Sequence, residues 1–338
     1  MNRTLNIAVI GCGRIGRIHA ENLATRIPGT RLVGVADIAG AAAKEVAAQF
    51  HVPKATADYH ELLADRTIQA VAICSSTDTH SLIIQEAAAA GKHIFCEKPI
   101  DYDLARIHAS LAAVKKAGVK LQIGFNRRFD PSFAKVRQLA TSGAIGEPHI
   151  IRITSRDPEP PPLDYIKVSG GIFLDMTIHD FDMVRFLSDS EAEEVYVIGD
   201  AKIVPEIREL GYADTAIVTM KLKNGVLATI DNSFKADYGY DQRIEVFGSK
   251  GSASAGNRKP DEHLLMDATG VHEAKPLYFF LERYAEAYVL EIRAFVEAVL
   301  NDLTPSVSGT EGLQAVVMGL AATRSLRERR PVKLSEIA

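Results

Sequence analysis

Short apolar runs alternate with longer segments of helical periodicity through the first third of the chain. Residues 6–10, 31–36, 70–74, 93–96 and 121–124 are brief, largely apolar stretches, and each reads as a buried strand. Between them, 14–24, 82–90 and 104–116 show the spacing of helices, and the second of these stops at Gly91. Strands separated in this way by helices predict a parallel sheet covered on both faces. Ligands of such sheets bind at the carboxyl ends of the strands.

After Asn126 the pattern changes. A helix over 132–142 leads to a strand over 149–155, and a loop with Pro158, Pro160, Pro161 and Pro162 predicts a stiff extended segment. Runs at 195–198, 216–222, 226–234 and 243–247 follow without helices between them, with Asn224-Gly225 as a hairpin turn. These predict an open, mainly antiparallel sheet. Residues 170–187, entered through Gly170-Gly171, read as one buried helix, and 282–300 and 312–327 as amphipathic closing helices.

The chain's 338 residues suit two domains. With 47% hydrophobic and 24% charged residues it has the make-up of a soluble globular protein, and a net charge of -4 argues against a nucleic-acid partner. The basic cluster Arg327-Glu328-Arg329-Arg330 reads as a solvated helix end. Met1-Asn2-Arg3-Thr4 runs into a strand without a leader's apolar region, and no stretch approaches about 18 apolar residues, so neither a signal peptide nor a membrane span is expected. Cys12, Cys74 and Cys96 form no C-x-x-C pair; three scattered thiols fit a reducing cytoplasm rather than disulfides or zinc. At strand ends they read as small apolar fillers.

Gly11-Cys12-Gly13-Arg14-Ile15-Gly16 follows the first strand and opens the first helix, the context that a G-x-G-x-x-G dinucleotide motif requires. Gly11 permits the turn, Gly13 lets a pyrophosphate approach, and Gly16 lets the helix pack closely; the N–H groups of Arg14, Ile15 and Gly16 meet the phosphates. Asp37 ends the second strand about 20 residues beyond, where a carboxylate binds the ribose hydroxyls and repels a 2′-phosphate. No arginine follows it, so the cofactor expected is NAD rather than NADP. The alternative for Asp37 is a cap on the next helix. Ser75, Thr77 and His80 after the third strand, and Glu97-Lys98 after the fourth, complete the expected cofactor cleft. Residues 1–124 are thus read as an NAD-binding Rossmann domain. Residues 125–338 are read as an α+β domain for substrate binding and oligomerisation, with closing helices that can pack back on the first.

Asp175, His179 and Asp182 recur at i, i+4 and i+7 on the apolar segment, one stripe of a helix. Unpaired polar groups inside a protein cost about 1–3 kcal/mol each, so such a stripe needs a reason. One is an internal hydrogen-bond ladder; the other is chemistry. Oxidising an alcohol requires a proton acceptor that titrates near neutrality, which suits His179, with Asp175 orienting its ring. Lys98 would favour the developing alkoxide and keep the imidazole neutral beforehand. Pro99 would fix the backbone there. Asp180 points off the stripe and suits structure. A metal would need a third protein ligand, and no H-E-x-x-H accompanies the pair, so none is expected.

Gly11-x-Gly13-x-x-Gly16, Glu97-Lys98-Pro99 and Asp175-x-x-x-His179-x-x-Asp182 together resemble the Gfo/Idh/MocA oxidoreductases. Asn126-Arg127-Arg128-Phe129-Asp130, Ser155-Arg156-Asp157-Pro158 and Tyr238-Gly239-Tyr240-Asp241-Gln242 look like its inositol 2-dehydrogenase segments. The resemblance implies Lys98, Asp175 and His179 as the catalytic set. It adds Arg127, Asp157 and Tyr240, with Asp182, as groups for the hydroxyls of a cyclic polyol. It further implies oxidation of myo-inositol to 2-keto-myo-inositol by a homotetramer, for which the scattered thiols suggest a cytoplasmic location. Another inositol isomer, a pyranose sugar, NAD-dependent glycoside hydrolysis and a non-enzymatic NAD-binding regulator stay open.

Overall fold

A computed structural model describes residues 4–337; Met1, Asn2 and Arg3, on which part of the leader reading rests, and Ala338 lie outside the described residues. The chain forms two units, one up to Phe129 joined by Glu286–Val316, the other Asp130–Ala285 joined by Val317 onward.

The first unit holds β1 (Leu5–Ile10), β2 (Thr30–Ala36), β3 (Lys54–Thr56), β4 (Ala70–Ile73), β5 (His93–Glu97) and β6 (Leu121–Gly124). Every pairing is parallel, in the order β3-β2-β1-β4-β5-β6. Connections pass through α1 (Arg14–Thr25), α2 (Gly40–Phe50), α3 (His60–Leu63), α4 (Thr77–Ala89) and α5 (Leu104–Ala117). Strand order reverses between β1 and β4, the switch point at which doubly wound sheets open a crevice. All four β4 residues are buried, as a strand covered on both faces requires.

The second unit continues with α6 (Pro131–Thr141), β7 (Pro148–Arg156), α7 (Leu163–Ile166), α8 (Gly171–Asp175) and α9 (Thr177–Ser188). There follow β8 (Ala192–Asp200), β9 (Thr215–Leu222), β10 (Leu227–Ser233), β11 (Asp241–Gly248) and β12 (Gly251–Ala255). A separate hairpin joins β13 (Leu264–Asp267) to β14 (Gly270–Glu273), and α10 (Phe280–Arg283) comes before α11 (Ala285–Leu300), α12 (Gly309–Glu328) and β15 (Val332–Lys333). The large sheet runs β12-β11-β7-β10-β9-β8-β15. It is antiparallel except between β7 and β10. Its strands alternate: Ala216, Val218, Met220 and Leu222 of β9 are buried while Ile217 faces out. Helices α6 and α9 lie on its covered side.

From Glu286 onward α11 belongs to the first unit, where Ile292, Phe295 and Val296 join Val9 and Phe95 in one core. Asn224-Gly225 does turn the chain between β9 and β10. The turn is closed by Gly225 N–H to Leu222 O at 2.9 Å, with Gly225 left-handed at φ 88°. No helix among the described residues is long and apolar enough to cross a membrane.

Candidate active site

Helix α1 starts without a side-chain cap: Gly13 is its extended N-cap, at φ -71° and ψ -164°. An N-cap without a side chain supplies no acceptor of its own to the first turn, the arrangement that suits a phosphate. A Cβ on Gly13 would meet nothing within 4 Å, so the open space before the helix is kept clear. Gly11, at φ +95°, is squeezed against β4, and a Cβ there would lie 2.5 Å from the Cys74 carbonyl carbon. On Gly16 it would lie 1.9 Å from Gly11 O, so the helix packs directly on the turn. Arg14 is exposed and Ile15 half-buried.

Asp37 is half-buried, and its carboxylate is aimed by two backbone donors, Cys12 N at 2.7 Å and Ala39 N at 2.8 Å. Each oxygen keeps lone pairs for the two ribose hydroxyls. A turn, an uncapped helix start and a fixed carboxylate are the parts an NAD molecule needs, and they fit it.

After β4, Ser75 Oγ lies 2.7 Å from Thr79 Oγ1, and Thr77 is the first residue of α4. His80 is buried, with Nδ1 2.7 Å from Pro99 O and Nε2 3.0 Å from Ser75 O. Burial pushes its pKa below the ordinary histidine value. A neutral imidazole has one N–H, so the ring donates to one of these two carbonyls at a time, on the loop after β4 or the loop after β5. Glu97 ends β5, and its Oε1 lies 2.7 Å from His19 Nε2. Lys98 follows, half-buried, and the Lys98–Pro99 peptide is cis. Burial raises the Cys12 thiol to about 11 and holds Cys74 and Cys96 well above the ordinary value, so all three stay protonated.

In the second unit the segment read as one helix is two. It breaks at Met176, which ends α8 and precedes α9. Asp175 closes the first piece and His179 lies in the first turn of the second, so the two do not share one continuous helical stripe. The cause is Thr177, whose hydroxyl donates to Ile172 O at 3.1 Å and to Asn232 Oδ1 at 2.7 Å. A hydroxyl bonded back to the preceding turn bends a helix. Asn232 of β10 also donates to the buried carboxylate of Asp180 at 2.9 Å. Asp175 and His179 are half-buried on a segment otherwise almost wholly buried, and Asp182 is buried within α9. Tyr165 of α7 donates its hydroxyl to Asp175 Oδ1 at 3.0 Å.

Two of the segments that resemble inositol 2-dehydrogenases, 155–158 and 238–242, also meet. Pairing of β7 with β11 sets Arg156 opposite Asp241 and Ser155 opposite Gln242, and Ser155 Oγ donates to Gln242 Oε1 at 3.0 Å. Asp157 follows β7, half-buried, its N–H held by Ser233 O. Tyr240 is buried, its ring 6.0 Å from those of Phe279 and Tyr284. Arg127 is buried in a 3-10 turn after β6.

Lys98 and Arg127 therefore belong to the first unit with the cofactor groups, while Asp157, Asp175, His179, Asp182 and Tyr240 belong to the second. Sequence reasoning did not single out Tyr165, Thr177 and Asn232, nor His19 behind Glu97. Only His19 carries a local signal: it stands three residues beyond Gly16 on the buried side of α1.

Residues 5–125 match the family model described as the oxidoreductase family with an NAD-binding Rossmann fold, and 133–254 match the Gfo/Idh/MocA C-terminal domain. A myo-inositol 2-dehydrogenase of Thermotoga maritima is 49% identical, covering 98% of this chain and 99% of the relative. An inositol 2-dehydrogenase of Rhizobium meliloti is 45% identical over 98% of this chain and all of its own length. A crystal structure of scyllo-inositol dehydrogenase from Lactobacillus casei, with bound NAD(H) and scyllo-inositol, superposes with a TM-score of 0.92. It is 30% identical over 98% of this chain and 100% of that one. With both units matched and the glycine turn, Asp37 and Lys98 in place, the chain belongs to the Gfo/Idh/MocA family of NAD-binding oxidoreductases.

Proposed function

We propose that the protein oxidises a ring hydroxyl of a cyclic polyol, converting myo-inositol to 2-keto-myo-inositol with NAD. The observation that carries this reading is the pair Asp175 and His179, half-buried at the break of an otherwise buried helix, with Tyr165 bonded to Asp175. The full-length likeness to a myo-inositol 2-dehydrogenase names the substrate.

The turn at Gly11, Gly13 and Gly16 and the N–H groups of Arg14, Ile15 and Gly16 hold the pyrophosphate, and Asp37 holds the adenosine ribose. Ser75, Thr77 and Glu97 line the cofactor cleft, and His80 shapes its loops. NAD, when bound, supplies the acceptor for the hydride leaving the hydroxyl-bearing carbon. His179 takes the hydroxyl proton as the carbonyl forms, and Asp175 orients the ring and stabilises the imidazolium. Lys98 hydrogen-bonds the reacting oxygen and stabilises its developing negative charge. Arg127, Asp157, Asp182 and Tyr240 return to the remaining ring hydroxyls the bonds they had to water.

The large sheet exposes Ile198, Ile217, Leu227 and Phe247 on its uncovered side, which suits assembly into a homotetramer. Three unpaired, protonated thiols suit the cytoplasm.

The test is NADH release over a panel of inositol isomers and pyranoses, with NAD and NADP. His179→Ala and Lys98→Met should each lose about 10³-fold in kcat yet bind NADH by fluorescence. Near-normal turnover in either variant refutes its role. Glycosidase turnover without NADH growth, or no turnover at all, refutes the dehydrogenase reading.

A further inference from the structure

Behind the carboxyl ends of β5 and β6, α1 presents His19 and α11 presents Glu291, both fully buried. His19 Nε2 lies 2.7 Å from Glu97 Oε1 and 3.9 Å from Glu291 Oε1. Among the described residues, neither carboxyl oxygen of Glu291 nor His19 Nδ1 has a hydrogen-bond partner. Buried polar atoms left this way are rare and ask for a reason.

A cation held by the three side chains would be one. The 2.7 Å contact argues against it. Two ligands on one ion, with bonds of about 2.0–2.2 Å at tetrahedral angles, would stand about 3.3–3.6 Å apart. The contact is a hydrogen bond instead, so Nε2 carries the proton and donates to the Glu97 carboxylate. Burial first, then the Glu97 charge, lifts Glu291 well above the ordinary carboxyl range, so it stands as a neutral acid. Around the cluster also stand the protonated Cys74 and Cys96 thiols, the His80 ring, and the rings of Phe95 and Tyr288, which meet the His19 ring edge-on at 4.9 and 5.9 Å. Gln122 of β6 donates to the Glu291 backbone carbonyl at 2.8 Å and ties α11 to the sheet.

Glu97 is clamped from the other side as well. A Cβ on Gly124 would lie 3.0 Å from the Glu97 carboxyl carbon, so the last residue of β6 leaves room for that carboxylate. The carboxylate thus sits between α1 and the end of β6, one residue before Lys98.

We propose that His19 and Glu291 are positioning residues for the oxidation: His19 by its hydrogen bond, and Glu291 by filling the dry site beside the pair, hold the Glu97 carboxylate in place and, through the backbone it ends, the Lys98 ammonium. The proposal rests on the assignment of Lys98 to the reacting hydroxyl. An ionised Glu291 would repel the Glu97 carboxylate across a dry site and loosen its bond to His19; as a neutral acid it fills the site without doing so.

The experiment is steady-state kinetics of the full-length enzyme with myo-inositol and NAD, with NADH affinity measured by fluorescence and metal content by mass spectrometry. His19→Leu should lose about 10²-fold in kcat, the scale of a misplacement near 1 Å, with both KM values and NADH affinity within about threefold. If His19→Leu does not fold, His19→Asn, polar but too short to reach Glu97, takes its place. His19→Gln, whose amide can donate from the same position, should recover to within about tenfold of wild type, and Glu291→Gln should likewise exceed Glu291→Ala. Lys98→Met, run in parallel, separates the two readings. If it keeps turnover, the Lys98 assignment falls and this inference with it. If it is inactive while His19→Leu or His19→Asn keeps normal kcat, the inference alone falls. The inference also falls if Gln rescues neither position, if NADH affinity collapses along with kcat, or if stoichiometric metal is bound and its removal abolishes turnover.

Discussion

Replacing Asp37 with alanine tests the cofactor site most directly. The carboxylate is fixed by Cys12 N and Ala39 N at 2.7 and 2.8 Å, so its aim does not depend on the ligand. Hydrogen bonds to a charged group contribute about 1.5–3 kcal/mol each; for two ribose hydroxyls, part of which water would replace, a net loss near 3 kcal/mol is a reasonable centre. At 1.4 kcal/mol per decade, KM for NAD should rise about 10²-fold while kcat at saturation stays within about threefold. The same change removes a repulsion. A unit charge about 4 Å from a 2′-phosphate charge costs on the order of 4 kcal/mol at an effective dielectric of 20, less with salt. The preference for NAD over NADP should therefore collapse from about 10³-fold or more to within about tenfold. The assay is kcat/KM for each cofactor at saturating inositol, with Asp37→Asn expected between wild type and Asp37→Ala for NADP. Unchanged kcat/KM for NAD in Asp37→Ala would show that the carboxylate only caps the loop before α2. Loss of NAD use with no gain in NADP use would show that charge repulsion is not what excludes NADP.

Two further predictions concern stability and assembly. Glu291 has a raised pKa in the folded state, so its contribution to stability is full below the unfolded value near 4.5 and is lost as pH rises through the folded value. Glu291→Gln should therefore gain on wild type by about 1.4 kcal/mol per pH unit from near pH 4.5 up to that folded value; parallel unfolding curves across this range would sink the assignment of a neutral acid. Ile217→Lys with Phe247→Lys, both on the uncovered side of the large sheet, should split a four-chain species seen by light scattering into smaller ones. An unchanged mass would place the interface elsewhere.

The cofactor turn was legible because its causes are local. Gly11, Gly13, Gly16 and Asp37 act through backbone conformation and through two strands whose apolar runs announce themselves. The break at Met176 was not, because it depends on Asn232, 55 positions from Thr177 in sequence. Local spacing put Asp175 and His179 on one uninterrupted stripe, and a remote side chain interrupts it. The strands β13 and β14 left no trace for a related reason: all their residues are exposed, so no buried face imposes alternation. Glu291 is a middle case. It falls on the buried side of α11 with Tyr288, Ile292 and Phe295, so a charge on an apolar stripe was visible. Its partners lie on α1 and β5, and helical spacing says nothing of them.

The buried polar groups are concentrated where the proposed chemistry needs exact placement. In the first unit His19, His80 and Glu291 gather around Glu97 and the loop that carries Lys98. In the second, Thr177, Asp180 and Asn232 lock the start of the helix that carries His179. Apolar contacts fall off gradually as atoms shift by a few tenths of an ångström, so a packed core alone tolerates small rotations of a helix. A hydrogen bond constrains angle as well as distance, and a buried one that breaks costs about 1–3 kcal/mol because no water replaces it. Two or three such bonds at one point oppose the rotations that packing would permit. Lys98 and His179 each follow such a point within two residues, so their head groups inherit its rigidity, and reaction rates that change about 10²-fold per ångström give that rigidity a function.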